Sequence, residues 1–135
     1  MTLAKICGLT TPETLDAALD GGAAFVGAVM FPKSPRHLEP LHAATLFDRA
    51  RGRAKVARPP QGSDLPGGVG ASFDWSLLAG RAFQKPWFLA GGLTPDNVAR
   101  ALAVTRAPMV DVSSGVESAP GVKDTDRIKA FLKAV

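Results

Sequence analysis

A pattern that occurs twice along the chain constrains the fold more than any other feature. A short, mostly apolar run at Leu3–Cys7 is followed by glycine and then by Thr-Pro-Glu at positions 11–13. The same order returns at positions 86–96, where an apolar run, two glycines and Thr-Pro-Asp follow one another. Threonine, proline and an acid in this order are typical of the first turn of a helix. The pattern therefore predicts strands that alternate with helices, which form right-handed βαβ units around a parallel sheet.

The rest of the chain continues this alternation. Residues 23–31 are apolar throughout, as expected of a strand covered on both faces of a parallel sheet. The other predicted elements are a helix over 12–20 with Leu15, Ala18 and Leu19 facing inward, helices over 38–50 and 73–82, a strand beginning at 55–57, strands at 86–90 and Met109–Val112, and a closing helix with Ile128, Phe131, Leu132 and Val135 on one face. Residues 58–70 are rich in glycine and proline and predict a loop, and loops of this length are usually functional or flexible.

Composition narrows the class of protein. With 135 residues, 46% of them apolar and 21% charged, the chain has the profile of one soluble globular domain. Its single cysteine, Cys7, excludes a disulfide scaffold and is typical of a reducing compartment, so we expect a cytoplasmic protein. No apolar run approaches the ~20 residues of a membrane span and no signal pattern is present, so we expect no membrane association. The formal net charge of +4 suits an anionic ligand without identifying it.

Residues that could bind a ligand or take part in catalysis follow the ends of the predicted strands. In folds of this kind, ligands bind at the carboxyl ends of the strands. The segments that follow strand ends are Cys7, residues 34–36, Gly67 and Gly68, Gly91 and Gly92, and residues 111–115. We therefore expect these segments to lie close together and form one binding site at the carboxyl ends of the strands.

Several motifs together resemble a known family. They are Lys-Ile-Cys-Gly-Leu-Thr at 5–10, the loop at 31–36, the glycine-rich stretch at 67–70 with Phe-Asp-Trp at 73–75, Leu-Ala-Gly-Gly-Leu at 89–93, and Asp-Val-Ser-Ser-Gly-Val-Glu at 111–117. In this order they are similar to phosphoribosylanthranilate isomerase of tryptophan biosynthesis. The resemblance covers nearly the whole chain apart from residues 53–58.

The resemblance implies a TIM-type (β/α)8 barrel, and the chain is too short for one. Such barrels typically need about 250 residues, and this chain has 135. We predict an α/β fold of parallel βα units with about five strands, and about three of the barrel's units missing. The chain is then a single partial domain over residues 1–135 with an apparent junction near residues 53–60. Open sheet edges promote self-association, so we also expect either a homo-oligomer or a strained, open half-barrel.

The implied reaction is an Amadori rearrangement of a phosphorylated aminosugar, in which the sugar ring opens and an aminoketose forms. An acid protonates the ring oxygen and a base removes the proton from C2. The resemblance assigns the base to Cys7, whose alternative role is that of a small buried apolar residue. The family's acidic aspartate belongs at the end of the sixth strand, where residues 55–57 stand, so the acid is missing. Asp64, in the following loop, is the nearest carboxylate and a weak substitute.

The resemblance also assigns residues that bind the substrate. Arg36 would bind the anthranilate carboxylate through its planar guanidinium, or else be a solvated loop arginine. Asp111 would orient amino or hydroxyl groups of the substrate, or else cap a strand end. Gly67 and Gly68 would close over the ligand, or else be only flexible. The predicted phosphate-binding residues are Gly91, Gly92, Ser113, Ser114 and Gly115, with tight turns as the alternative.

Other functions receive less support from the sequence. The two histidines, His37 and His42, have no ligand-like partners and are expected at the surface, so we predict no metal site and no cofactor. A polyanion-binding protein is a remote alternative, because the chain has a basic cluster formed by Arg49, Arg51, Arg53, Lys55 and Arg58. No aromatic residues for base stacking lie among these five residues, so we predict no nucleic-acid partner. The stronger alternative is a shortened family member that binds a phosphorylated sugar without catalysis.

Overall fold

The computed structural model describes residues 1–57 and 74–135, and a parallel five-stranded sheet organises them. The strands are β1 (Leu3–Cys7), β2 (Phe25–Gly27), β3 (Lys55–Ala57), β4 (Phe88–Ala90) and β5 (Met109–Val112), in the spatial order β3-β2-β1-β5-β4. The helices are α1 (Pro12–Asp20), α2 (Pro40–Phe47), α3 (Val98–Thr105) and α4 (Thr125–Ala134). The predicted parallel α/β fold is confirmed, and within residues 1–57 and 74–135 the barrel is incomplete.

The sheet is strongly curved. Strands β2 and β4 are separated by β1 and β5, and in a flat sheet they would lie about 14 Å apart at the usual strand spacing. The rings of Phe25 on β2 and Phe88 on β4 nevertheless meet edge to face, with centroids 5.3 Å apart. The five strands therefore form an arc of a barrel wall, with β3 and β4 as its edges within the described residues.

The convex face of the arc carries the hydrophobic core. Ile6, Val26, Leu89 and Val110 point outward from their strands and are fully or almost fully buried. Helices α1 and α4 pack against each other over this face, and their buried side chains include Leu15, Ala18, Ile128 and Phe131. The inward-facing residues predicted for the first and last helices are confirmed, with Leu132 and Val135 partly buried against the same core.

The start of α1 shows why the repeated pattern predicts a helix. The side chain of Thr11 accepts a hydrogen bond from the backbone N–H of Thr14 at 3.3 Å, and Pro12 occupies the first turn. The second copy of the pattern behaves differently. Thr94 does not cap a helix. Its backbone N–H donates instead to Asn97 Oδ1 at 2.7 Å, and α3 begins only at Val98.

Other elements differ from the prediction in length. The strand predicted over 23–31 extends over Phe25–Gly27, and the helix predicted over 73–82 is a short 3-10 turn at Trp75–Leu78. The helix predicted over 38–50 ends at Phe47 and continues as a 3-10 turn at Asp48–Ala50. The exit of β5 forms a 3-10 turn at Ser114–Val116 and then an unpredicted antiparallel hairpin of β6 (Glu117–Ala119) and β7 (Val122–Lys123). None of the helices in the described ranges is long and apolar enough to cross a membrane.

Candidate functional site

Because the five strands run in parallel, their exit loops lie along one rim of the sheet, and Gly8 stands at its centre. A β-carbon placed on Gly8 would lie 2.8 Å from Arg36 Cδ, 3.0 Å from Ser113 Oγ and 3.3 Å from Lys123 Nζ. Gly8 also has a φ of +76°, which favours glycine. The rim therefore brings Cys7, Arg36 and Ser113 together as predicted, and it adds Lys123.

The thiol of Cys7 lies on the concave face beside Lys5. A β-carbon on Gly27 of the neighbouring strand would be 3.3 Å from both Cys7 Sγ and Lys5 Cε, so these atoms are neighbours. Burial raises the pKa of the Cys7 thiol, while the charges of Lys5 and Lys123 and the N–H of Gly8 act in the opposite direction. The thiol form therefore predominates at neutral pH, although cationic groups surround it.

Asp111 and Lys5 form an ion pair across the strands β5 and β1. Lys5 Nζ lies 2.9 Å from Asp111 Oδ2, and both side chains are largely buried. Burial raises the pKa of Asp111, and the Lys5 charge opposes this. The other carboxylate oxygen, Asp111 Oδ1, is buried and accepts no hydrogen bond from any described residue. A buried acceptor without a donor is costly, so a ligand that donates a hydrogen bond here would be stabilised.

A second charged cluster joins three loops of the rim. Arg36 donates to both oxygens of Glu117, from Nε at 2.8 Å and from Nη2 at 2.6 Å. Lys123 Nζ lies 2.8 Å from Glu117 Oε2, and the two side chains of this pair are 1% and 3% exposed. Lys123 also donates to the carbonyl oxygen of Ser113 at 2.9 Å. Burial alone would raise the pKa of Glu117, but the hydrogen bonds from Arg36 and Lys123 outweigh it, and the pKa is lowered.

The cluster changes the interpretation of Arg36. Its side chain is 20% exposed, so it is not the solvated loop arginine of the alternative prediction. Two of its three nitrogens bind Glu117 within the protein, which leaves Nη1 for a ligand.

The two predicted phosphate loops touch each other. A β-carbon on Gly115 would lie 1.7 Å from the carbonyl oxygen of Leu93, so the loop after β5 packs directly against the loop after β4. Gly91 and Gly92 both adopt positive φ angles, +102° and +65°. Because α3 begins only at Val98, these two glycines do not form the first turn of a helix.

Three predicted residues, Asp64, Gly67 and Gly68, lie outside the described residues. The position that the resemblance assigns to the catalytic acid lies at the end of β3, where the structure has Ala57. A carboxylate that faces Cys7 is provided instead by Asp111 on β5.

Reasoning from the sequence assigned no role to Lys5, Glu117 or Lys123. Lys5 and Glu117 lie inside the quoted motifs, and a charged residue in an otherwise apolar strand such as β1 is itself a signal of function. Lys123 gave no comparable signal, because its importance arises from the hairpin that returns it to the rim.

The remaining candidates are the two histidines and the basic cluster, and most of these residues have polar partners other than the rim residues described above. His42 is exposed as expected, whereas His37 is mostly buried and its Nε2 lies 2.8 Å from Glu39 Oε1. In the basic cluster, Arg49, Arg51 and Arg53 each pair with an aspartate, at 2.6, 2.6 and 2.7 Å, and Arg58 lies outside the described residues. These pairings reduce the charge that a polyanion would meet.

Comparison with known proteins gives a consistent result. A family model described as N-(5'phosphoribosyl)anthranilate (PRA) isomerase matches residues 63–134. The N-(5'-phosphoribosyl)anthranilate isomerase of Paracoccus denitrificans is 41% identical over an alignment of 202 positions, which covers 95% of this chain and 94% of the relative. The alignment is longer than the 135 residues of this chain. It therefore spans positions at which this chain has no residue.

Solved structures agree with the sequence comparison. The phosphoribosyl anthranilate isomerase of Thermotoga maritima superimposes with a TM-score of 0.87 at 27% identity, covering 99% of this chain and 98% of that one. A phosphoribosyl anthranilate isomerase in complex with reduced 1-(o-carboxyphenylamino)-1-deoxyribulose 5-phosphate gives a TM-score of 0.84 at 27% identity, with the same coverage.

Proposed function

Because this chain belongs to the N-(5'-phosphoribosyl)anthranilate isomerase family, we propose that its rim binds the phosphorylated anthranilate-sugar conjugate and that Cys7 is the base of the isomerisation. The observation that carries this proposal is the convergence of Arg36 and Ser113 beside Gly8, next to Cys7 in the chain, while Asp111 pairs with Lys5 on the same face of the sheet. The family to which the chain belongs catalyses an aldose–ketose isomerisation in tryptophan biosynthesis. The roles of individual residues in this shortened chain are the proposal.

The reaction needs one proton donor and one proton acceptor. Protonation of the ring oxygen breaks its bond to C1 and leaves C1 joined to the anthranilate nitrogen as an iminium ion. A base then removes the proton from C2, and the C2–H electron pair moves toward C1 to give an enamine. Transfer of a proton to C1, together with loss of the proton from the C2 hydroxyl, completes the aminoketose. Cys7 takes the C2 proton as the thiolate, a form that burial disfavours and that the cations around it favour.

Asp111 has the geometry to orient the substrate. Its Oδ2 is held by Lys5, while its buried Oδ1 accepts nothing from the described residues. The anthranilate N–H and the sugar hydroxyls are hydrogen-bond donors that suit this oxygen. Asp111 in this role orients the amino or hydroxyl groups beside the Cys7 thiol.

Arg36 binds the anthranilate carboxylate through its remaining nitrogen in this proposal. Glu117 holds the guanidinium plane in place through two hydrogen bonds, so little side-chain freedom is lost when the ligand arrives. A single Nη1 contact supplies charge attraction without a bidentate fork, since the fork is used by Glu117.

The loops that contain Gly91, Gly92, Ser113, Ser114 and Gly115 bind the phosphate in this proposal. Support comes from their direct contact at Gly115 and Leu93, which forms one continuous surface from two loops. Loops that follow the last strands of such barrels are where phosphate binds. The solved relative in complex with a 5-phosphate compound has the same fold.

One observation favours a second candidate function, binding without catalysis. The end of β3, where the resemblance places the catalytic acid, carries Ala57. Without an acid at that position, ring opening loses the contribution of general acid catalysis, typically about 10²–10⁴-fold. A shortened family member that binds a phosphorylated sugar without converting it would lack an acid at this position.

The two candidates are separated by turnover and binding measured on the same samples. Loss of phosphoribosylanthranilate fluorescence reports turnover, and titration with the reduced carboxyphenylamino-deoxyribulose phosphate reports binding. Under the main proposal, Cys7→Ala abolishes turnover and keeps binding, while the exposed control His42→Ala changes neither. Unchanged turnover in Cys7→Ala removes Cys7 from the mechanism. Binding without turnover in the wild-type chain supports the second candidate.

The sheet edges support a homo-oligomer. In the described ranges, strands β3 and β4 each pair with one neighbour only, and Val56 and Phe88 on these strands are 43% and 38% exposed. Exposed strand edges are templates for pairing with another chain. Sedimentation velocity tests this proposal. A species heavier than the 14.0 kDa chain agrees with it, and a monodisperse monomer contradicts it.

The single cysteine also suits a reducing location such as the cytoplasm.

A further inference from the structure

Lys5 has no part in the proposed chemistry, yet it is placed against two groups that do. Its Nζ lies 2.9 Å from Asp111 Oδ2, and its side chain is only 17% exposed. Its Cε and the Sγ of Cys7 lie equally close, at 3.3 Å, to the point above Gly27 where a β-carbon would stand. Both residues project from β1 on the concave face, two positions apart. The Lys5 side chain therefore binds a carboxylate and lies beside a thiol.

We propose that Lys5 is a positioning residue that stabilises the thiolate of Cys7, and that Asp111 competes with the thiolate for the same ammonium group. This inference deepens the proposed function and rests on it, since the thiolate is the base of that reaction. The Lys5–Asp111 pair then sets how much of Cys7 is available as a base.

The charged groups that face Cys7 come from three elements. Lys5 lies on its own strand, Asp111 on β5, and Lys123 on β7. Lys123 is already bound by the carboxylate of Glu117 and by both oxygens of Ser113. Lys5 makes one hydrogen bond to Asp111, and an ammonium group has three N–H donors. Lys5 is thus the cation with donors to spare for the thiolate.

The proposal makes a prediction about sign. Removal of a neighbouring cation disfavours the thiolate, whereas removal of a neighbouring anion favours it. Lys5→Met and Asp111→Asn both break the same ion pair, so a purely structural role would shift the reactivity of Cys7 in the same direction in both variants. Stabilisation of the thiolate by Lys5 shifts it in opposite directions.

The test is the rate of iodoacetamide alkylation measured against pH. Cys7 is the only cysteine of the chain, so the signal reports on one thiol. At pH 8 we expect Lys5→Met to react about three- to tenfold more slowly than wild type and Asp111→Asn faster by about the same factor, since thiolate is the reacting form. Lys5→Arg, which keeps the charge, should react at nearly the wild-type rate. The matched control is Lys55→Met, because Lys55 lies on the same face but over the Phe25 ring, and its rate should not change.

Equal rates in wild type and Lys5→Met, or shifts of the same sign in Lys5→Met and Asp111→Asn, overturn the proposal. Thermal melts establish which variants are folded. If Lys5→Met does not melt cooperatively, Asp111→Asn decides the question, and an unchanged or lower rate refutes the inference. Alkylation requires neither ligand nor turnover. A chain that shows the opposite shifts but no isomerase activity therefore contradicts the proposed function and leaves the role of Lys5 intact.

Discussion

The two faces of the same five strands differ in what they contribute. On the convex face, Ile6, Val26 and Val110 are fully buried beneath helices. On the concave face, Lys5 and Asp111 form a charged pair, and Phe88 is 38% exposed. Alternate residues of one strand thus serve packing and chemistry separately. The difference indicates that, in the described residues, the convex face stabilises the fold and the concave face carries the site.

The largest expected effect tests the stabilising role of the convex face. Phe131 of α4 is fully buried, and Phe131→Ala should lower the free energy of unfolding by about 3–5 kcal/mol through the lost contacts and the cavity. The matched change on the concave face, Phe88→Ala, removes a half-exposed ring and should cost no more than about 1–2 kcal/mol. Urea denaturation measures both. Equal losses would show that the concave face stabilises the fold as much as the core does.

The next effect concerns the charged cluster on the rim. Glu117→Gln removes a buried carboxylate and leaves Arg36 and Lys123 without their counter-ion, so we expect a loss of about 3 kcal/mol at pH 7. The folded protein lowers the pKa of Glu117 below its ordinary value of 4.5. The stabilisation is therefore complete above about pH 4.5 and is lost as the pH falls through the lowered pKa. Urea denaturation between pH 7 and pH 3 should show the difference between wild type and variant shrinking with acid.

Asp111→Asn is the control for Glu117→Gln, because folding shifts the pKa values of Asp111 and Glu117 in opposite directions. Burial raises the pKa of Asp111, so its ionised form is disfavoured by folding and stability increases as the pH falls through the raised pKa. At pH 7 the amide removes this cost but leaves the largely buried Lys5 without its counter-ion, so the free energy of unfolding should fall by less than in Glu117→Gln. A loss as large as that of Glu117→Gln would contradict the assignment of Asp111 to ligand binding rather than to stability.

A smaller effect is expected from a substitution that changes the rim and has less effect on the hydrophobic core. Gly8→Ala places a methyl group 2.8 Å from Arg36 Cδ in a backbone conformation that favours glycine. We expect affinity for the reduced carboxyphenylamino-deoxyribulose phosphate to fall about tenfold or more, which is roughly 1.4 kcal/mol. Isothermal titration measures it, with Gly52→Ala as the control, since Gly52 also has a positive φ but no atom near its β-carbon position. Equal affinity loss in both variants would exclude a local effect at the rim.

The smallest effect is expected on the solvent side of the helices. Arg49 pairs with Asp16 at 2.6 Å, but both side chains are well exposed. Exposed ion pairs contribute little because water and salt screen them. Arg49→Ala should leave the urea midpoint and the affinity for the ligand unchanged within error. A clear destabilisation would show that the α1 contact to the turn after α2 is part of the core.

The sequence predicted those parts of the fold that depend on local patterns. The Thr11 cap and the apolar stripe of α4 are local signals, and both are found in the structure. The second Thr-Pro-acid triplet predicted a helix start that Asn97 displaces, because its side chain bonds the backbone of both Thr94 and Gly92. Local sequence does not reveal that these bonds hold residues 94–97 in a turn and delay the helix to Val98.

The site was predicted less completely than the fold. Family resemblance pointed to Cys7, Arg36 and Asp111, and the structure places all three around Gly8 or beside Lys5. The partner of Arg36 is a long-range contact to Glu117, 81 positions away, and no local pattern encodes such a pairing. Lys123 reaches the rim only through the β6–β7 hairpin, an element that the sequence did not predict.

Protection of Cys7 from alkylation by a bound ligand tests most directly whether the described rim forms one site. The measurement compares the iodoacetamide rate of wild-type protein with and without saturating reduced carboxyphenylamino-deoxyribulose phosphate. If the thiol and the loops around Ser113 contact the same small molecule, the ligand slows alkylation severalfold, and Gly8→Ala needs about tenfold more ligand for the same protection. A rate that the ligand does not change, under conditions where titration shows it to be bound, would place Cys7 outside the binding site and contradict the account.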